Sequence, residues 1–144
     1  DCALTYEELL ALFDSRDIDP TLLPEEELDE ASPFGRNFAR SGGVSQAVAA
    51  AVKEHGLDKD FELKALPCSG IAECEAALLK LKAGRLEANF IEGMACEGGC
   101  VQGAGCLVRS PRNRMDVEKH AKEAEGRGVL AAVQAAEGTV PAGK

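Results

Sequence analysis

Residues 90–106 read FIEGMACEGGCVQGAGC. Cys96, Cys100 and Cys106 follow a short apolar run in the spacing C-x3-C-x5-C, with glycines at 98, 99, 103 and 105. Thiolates are soft ligands that suit zinc, copper(I) and iron–sulfur clusters. Glycines keep Cβ atoms away, so backbone N–H groups can approach a bulky inorganic ligand and stabilise the negative charge on its sulfurs. Glu97 would oppose that charge unless it turns to solvent. The spacing departs from the paired C-x2-C hooks of structural zinc and from the C-x2-C-x2-C run of bacterial ferredoxins. Three readings fit the residues alone: a metal or cluster site, a glycine-rich turn holding small buried cysteines, and a thiol–disulfide pair. Three thiols do not complete a four-cysteine site, so a cluster would need ligands from elsewhere.

The remaining titratable and thiol residues carry weaker signals. Cys68 follows an expected strand end and could approach the same site, but reads first as a small core residue. Cys74 falls on the apolar face of an expected helix, and Cys2 in an expected strand. His55 stands at a helix end, where an imidazolium suits the helix dipole, and His120 reads as surface. Glu92 is a carboxylate inside an apolar strand, which points to a buried hydrogen-bonding role, with proton transfer as the alternative.

The elements that must position these residues follow from patterning. Residues 1–4 suggest a strand end. Thr5 and Glu8 form a capping box ahead of a helix with Leu9, Leu10, Leu12 and Phe13 as its apolar side. Residues 16–34 contain Pro20, Pro24, Pro33 and an acidic run, and read as a surface loop with a helical turn at 24–30. SGGVSQAVAAAVKEHG predicts a helix capped by Ser41, with Val44, Val48 and Val52 in one stripe and Gly56 as its left-handed stop. FELKALP predicts a strand over 61–67. IAECEAALLKLKAG predicts a helix with Ile71, Cys74, Leu78 and Leu81 inward and Gly84 at its end. EANFIEGM predicts a second strand. Strand, helix and strand in succession imply a βαβ unit with parallel strands and a right-handed crossover. One or two helices, broken near Gly126 and Gly128, fill residues 113–136, and residues 137–144 read as a frayed tail. The expected fold class is therefore α/β, a parallel or mixed sheet flanked by helices.

The chain has 144 residues, enough for one domain. Its net charge of −9 disfavours nucleic-acid binding, which depends on Lys and Arg displacing counterions. Arg109, Arg112 and Arg114 form a short basic stretch that reads as a solvated loop. No apolar run approaches the roughly 18 residues that a membrane span needs. Aromatic residues are sparse and Trp is absent, so Ala, Leu and Val must fill the core. Six cysteines without a secretion signal suggest a reducing cytoplasmic setting, where clustered thiols point to metal or redox chemistry. The chain opens on Asp, as if cut from something longer.

FIEGMACEGGCVQGAGC resembles the third cluster-binding motif of [FeFe]-hydrogenases, F-x-E-x-M-A-C-x-G-G-C-x-x-G-G-G-Q-P. Phe90, Glu92, Met94, Ala95, Cys96, Gly98, Gly99, Cys100, Gly103 and Gly105 match it. DCALTYEELLALF resembles the stretch after the family's second motif, and NFARSGGVSQAVAAAV its F-G-x-x-G-G-V helix start. AALLKLKAGRLEANFIEGMAC resembles the helix and strand leading into the third motif, so the resemblance covers roughly residues 1–110. It implies the C-terminal part of a hydrogenase catalytic domain. By that resemblance Cys96 would ligate a [4Fe–4S] cubane, and Cys100 would bridge it to a two-iron subcluster where hydrogen chemistry occurs. Phe38 and Met94 would be apolar neighbours of the subcluster, and Gly98, Gly99, Gly103 and Gly105 the close backbone wall. It further implies two partners, the N-terminal part of the same domain and a ferredoxin-type electron carrier.

Two departures stand out. The G-G-G-Q-P segment is here GAGCL, which puts a methyl at Ala104, a thiol at Cys106 and a leucine at Leu107. The T-S-C-C-P and M-P-C-x-x-K motifs, which carry the other two cubane ligands in the family, are absent. This chain alone is therefore expected to hold no complete cluster, to be inactive, and to self-associate through uncovered apolar residues. A noncatalytic hydrogen or redox sensor and a plain metal-binding or structural module stand as the alternatives.

Overall fold

The computed structural model describes residues 2–26, 31–124 and 126–139. The architecture is mixed α/β: a small parallel two-stranded sheet surrounded by helices.

Residues 2–4 are irregular and do not form the expected strand end; the strand pairing among the described residues lies elsewhere, and an extended segment without a ladder partner is not a strand. The capping box does form. Glu8 N–H donates to Thr5 Oγ1 at 3.2 Å, and Thr5 N–H donates to the Glu8 carboxylate at 2.7 Å, opening α1 (Tyr6–Asp14). Those bonds favour the ionised carboxylate and hold Glu8 below the ordinary glutamate value. α1 buries no residue fully: Leu9 and Phe13 are half-buried, while Leu10 and Leu12 face solvent. The following loop holds a 3-10 turn at Pro20–Leu22 and a short helix, α2 (Pro33–Arg36), which patterning does not reveal. Ser32 starts α2 by accepting from Gly35 N–H at 3.0 Å. Of the expected turn at 24–30, residues 24–26 are irregular and 27–30 lie outside the described residues.

α3 (Gly43–Glu54) ends at Gly56, whose φ of 68° is the expected left-handed stop. Its stripe of Val44, Val48 and Val52 is half-buried; Gly43, Ser45 and Ala47 are its buried residues. Ser41 does not cap it. Gly42, with φ of 84°, holds the cap position and makes no side-chain capping bond of its own, while Ser41 N–H is already committed to Gly98 O at 3.1 Å.

β1 (Ala65–Ser69) pairs in parallel with β2 (Phe90–Met94), placing Cys68 opposite Gly93 and Ser69 opposite Met94. Both strands start later than patterning suggests. Around residues 62–64 and 89, the Asn89 side chain takes part in the pairing, beside a backbone bond from Asn89 N–H to Lys64 O at 3.0 Å. Lys64 N–H donates to Asn89 Oδ1 at 2.7 Å, and Asn89 Nδ2 donates to Glu62 O at 2.9 Å. Pro67 is tolerated because β1 is an edge strand, where a missing donor breaks no ladder. Between the strands runs α4 (Ile71–Lys82), in contact with both and stopped by Gly84 at φ of 66°. The expected inward face is wrong in part. Cys74 is half-buried and Ala77 buried, but Ile71, Leu78 and Leu81 are exposed.

α5 (Pro111–Lys122) and α6 (Val129–Thr139) are separate helices, with Gly126 at φ of 99° between them. α6 reaches Thr139, three residues into the segment expected to fray, and 140–144 lie outside the described residues. α5 packs on α2, and α6 on α3. Arg112 and Arg114 lie on α5, where Arg114 pairs with Glu118 at 3.1 Å. Among the described residues the buried apolar ones are Ala47, Cys68, Ala77, Val101, Ala121, Ala124 and Ala132. Small side chains thus let the elements approach closely, and no leucine is among them.

Candidate functional site

The site lies just past the carboxyl end of β2. Gly70 N–H donates to Met94 O at 2.8 Å, which keeps the two strand ends together as the chain leaves the sheet. The chain then turns: Gly99 N–H donates to Cys96 O at 3.0 Å, and residues 100–102 form a 3-10 turn. Gly98 N–H donates to Ser69 Oγ at 2.8 Å, so the end of β1 also holds the turn. Cys96 is half-buried and Cys100 exposed, on either side of Gly98 and Gly99.

Glycine is required here for two separate reasons. Gly99 has φ of 94° and ψ of −169°, a region that essentially only glycine occupies. A Cβ added to it would also lie 2.6 Å from Ser41 N and 2.7 Å from Ala39 O. Gly103 is a close-approach position: its added Cβ would sit 3.1 Å from Cys100 O and 3.3 Å from Cys96 Sγ. The Cys96 sulfur therefore lies directly over the Gly103 backbone.

Residues 37–43 run along the turn. Besides Ser41 N–H to Gly98 O, Val101 N–H donates to Ala39 O at 3.1 Å. This segment contains Phe38, which is 48% exposed, while Met94 is half-buried at the last position of β2. Gly105 meets the start of α1, where its carbonyl accepts from Tyr6 N–H at 3.2 Å. Cys106 is brought to Cys100: its thiol donates to the Cys100 carbonyl at 3.0 Å. Cys100 and Cys106 line one cavity of about 280 Å³ together with Tyr6, Asn113, Asp116 and Val117. Asn113 Nδ2 donates to Val101 O at 3.0 Å, and the Gln102 side-chain amide donates to Ser110 O, which ties α5 to the turn.

The other cysteines stand apart. Cys68 is 2% exposed within β1, and burial pushes its thiol up, so it stays protonated. Cys74 Sγ approaches the backbone of β2, 3.8 Å from Met94 O. Both occupy the α4 side of the sheet, as core residues do. His55 is the C-cap of α3, and His120 is exposed in the last turn of α5 beside Glu123 at 2.9 Å.

Glu92 is 4% exposed. Its carboxylate accepts from Gly42 N–H at 2.9 Å and from Ser45 N–H at 2.8 Å. A buried carboxylate in an apolar strand is thus the N-terminal cap of α3, supplied from another element. The expected buried hydrogen-bonding role is what the geometry gives.

The donor chemistry of the turn suits iron: two thiols are held at a glycine-lined turn whose backbone comes close to one of them. The number of donors is incomplete, since the described residues contain no group of three or more His, Cys, Asp or Glu side chains placed to hold a metal. The turn fits part of a cluster site.

Over residues 1–104 the chain matches the family described as iron only hydrogenase large subunit, C-terminal domain, and it belongs to that family. A curated relative is Iron hydrogenase 1 of Clostridium pasteurianum, 28% identical over 149 residues, an alignment covering 83% of this chain and 26% of the relative. The chain therefore spans about a quarter of that relative's length. Among the described residues, no helix is long and apolar enough to cross a membrane.

Proposed function

We propose that this chain supplies two cysteine ligands, Cys96 and Cys100, to the active-site iron–sulfur cluster of an iron-only hydrogenase. The observation that carries the reading is the close backbone around these thiols: Gly99 against residues 39–41, and Gly103 under the Cys96 sulfur. Cys96 would hold the [4Fe–4S] cubane and Cys100, the more exposed thiol, would bridge it to a two-iron subcluster. When bound, the cluster supplies the redox chemistry for reversible proton reduction and hydrogen oxidation. The chain's own residues then act as ligands and as wall. The half-buried Cys96 is held over Gly103, Met94 and Phe38 furnish apolar neighbours, and the glycines admit the cluster close to the backbone. β1, α4 and β2 are read as a right-handed βαβ unit that aims the turn.

The other cubane ligands would come from the N-terminal part of the same domain, and electrons from a ferredoxin-type carrier. Alone, the chain would hold no complete cluster. Exposed Leu22, Leu78, Leu79 and Phe38 would favour its self-association. A cytoplasmic location fits the six free thiols. A second reading, a hydrogen or redox sensor, is favoured by one observation: a thiol, Cys106, bonds the carbonyl of the proposed bridging cysteine where the family pattern has Gln. Hydrogen evolution by the intact protein separates the two.

The central test is iron content in the intact protein. Cys96→Ala should abolish cluster assembly and its visible absorption band, whereas Cys74→Ala should leave both intact. Equal iron in wild type and Cys96→Ala refutes the assignment.

A further inference from the structure

Glu92 does more than cap a helix. Its two acceptor atoms fix Gly42 and Ser45, at the start of α3. The residue before Gly42 is Ser41, whose N–H donates to Gly98 O at 3.1 Å, and two residues earlier Ala39 O accepts from Val101 N–H. A closed ring therefore runs from Glu92 in β2, through Gly42 and Ser41, across to Gly98, and back along the chain through Cys96 and Met94. Cys96 lies inside this ring, and Cys100 lies between its anchors at Gly98 and Val101. The covalent path from Glu92 to Cys96 is only four residues long and carries Gly93. Without the second path, the turn's attachments to the sheet would be the strand end and the Ser69 hydroxyl, with the bonds of Gln102 and Val101 to α5 holding only its far side. Packing leaves the second path little slack. An added Cβ at Gly43 would fall 1.9 Å from Asn37 O, and one at Gly99 would fall 2.8 Å from Arg40 C. The segment 37–43 is thus pressed between α3 and the cysteine turn, and whatever fixes its start on the α3 side fixes the turn on the other.

We propose that Glu92 is a positioning residue for the cysteine turn, acting on Cys96 and Cys100 through the backbone of residues 39–42. Its relevance to cluster binding rests on the function proposed above; the coupling within the chain does not, and it can be tested without a cluster. The control is built into the sheet. Glu92 faces α3, whereas Cys74 contacts the backbone of β2 from α4. Both Cys74 and Cys96 are half-buried.

The experiment uses the metal-free chain and measures iodoacetamide modification of each cysteine by peptide mass spectrometry, at one pH, in wild type and Glu92→Gln. The amide side chain keeps the shape but can satisfy only one of the two N–H groups, so local opening of the turn should become more frequent. Cys96 modification should accelerate by about tenfold relative to Cys74, in line with loss of one buried bond to a charged acceptor. The amide resonances of Ser41 and Gly98 should shift and lose exchange protection, while those within α4 stay in place. Unchanged Cys96 reactivity overturns the proposal. So does an equal rise at Cys96 and Cys74, because Glu92 would then stabilise the whole fold and not the turn. Glu92→Ala, which removes both bonds, should enlarge the Cys96 effect; a smaller effect than in Glu92→Gln also overturns it.

Discussion

Replacing Gly99 by Ala perturbs the turn without removing a hydrogen-bonding group. Two costs can be worked from the geometry. The backbone conformation, φ 94° and ψ −169°, costs a non-glycine residue about 1–3 kcal/mol. The added methyl meets three backbone atoms, Ser41 N at 2.6 Å, Ala39 O at 2.7 Å and Arg40 C at 2.8 Å. None belongs to a side chain that could swing away, so the segment must shift, at an overpacking cost of about 1–3 kcal/mol. The sum is about 2–6 kcal/mol, against a domain stability of about 5–15 kcal/mol. Urea unfolding should therefore give a markedly lower midpoint at unchanged slope. The comparison is Gly56→Ala. Gly56 also has a positive φ, 68°, but no atom lies within 4 Å of its added Cβ. Only the left-handed cost of about 1–2 kcal/mol applies there. If Gly99→Ala is no more destabilising than Gly56→Ala to within about 0.5 kcal/mol, the close packing of the turn on residues 39–41 is refuted.

Cys106→Ser keeps a donor to the Cys100 carbonyl but removes the thiol. In the intact protein it should retain full iron while shifting the cluster's midpoint potential, and loss of iron would make Cys106 a ligand. Glu54 accepts from Leu130 and Val129 N–H at 2.9 and 2.8 Å, and those bonds hold its carboxyl below the ordinary value. Because the folded value is depressed, its contribution to docking α6 is present above the unfolded value and is lost as pH falls through the folded one. The amide resonances of Val129 and Leu130 should titrate in acid with a midpoint below that of an ordinary glutamate, and should lose this titration in Glu54→Gln.

Local signals in the sequence proved legible where they rest on chemistry confined to a few residues. The Thr5–Glu8 box, the stops at Gly56 and Gly84, and the break near Gly126 are each set by one or two side chains or by one backbone angle. The cysteine turn was legible for the same reason, since Gly98 and Gly99 both need φ values near 90° that only glycine takes easily. Signals that depend on a partner elsewhere in the chain failed. Ser41 has the right chemistry to cap α3, but its backbone is claimed by Gly98, and the cap comes from residue 92. The strand expected from Phe61 starts at Ala65 because Asn89 pairs with the backbone of residues 62 and 64. The stripe Ile71, Leu78 and Leu81 has helical spacing, yet the sheet takes Cys74 and Ala77 because small side chains let α4 come close. Asn113 and Asp116 carried no signal as site residues; they reach the turn only because α5 folds back on α2.

α3 links these observations. Glu92, from the strand that leads to Cys96, caps its N-terminus; Glu54, its own last residue, caps the N-terminus of α6. In both places a carboxylate meets the positive end of a helix and satisfies two orphan donors, which is more favourable than either the charge or the bond alone. The two caps act in opposite directions along the chain. Glu92 fixes where α3 begins relative to the cysteine turn, and Glu54 fixes where α6 begins relative to α3. The side chains in between are mostly alanine and valine, so direction along α3 is set by its ends and not by interlocking bulk. A core of small residues packs closely but specifies orientation poorly, because alanine-to-alanine contacts differ little between neighbouring registers. Directional bonds at the helix ends supply what such a core lacks. On this argument the buried glutamate belongs to the fold's specification of the site: an apolar residue at position 92 would leave Gly42 and Ser45 unsatisfied and the cysteine turn with one anchor fewer.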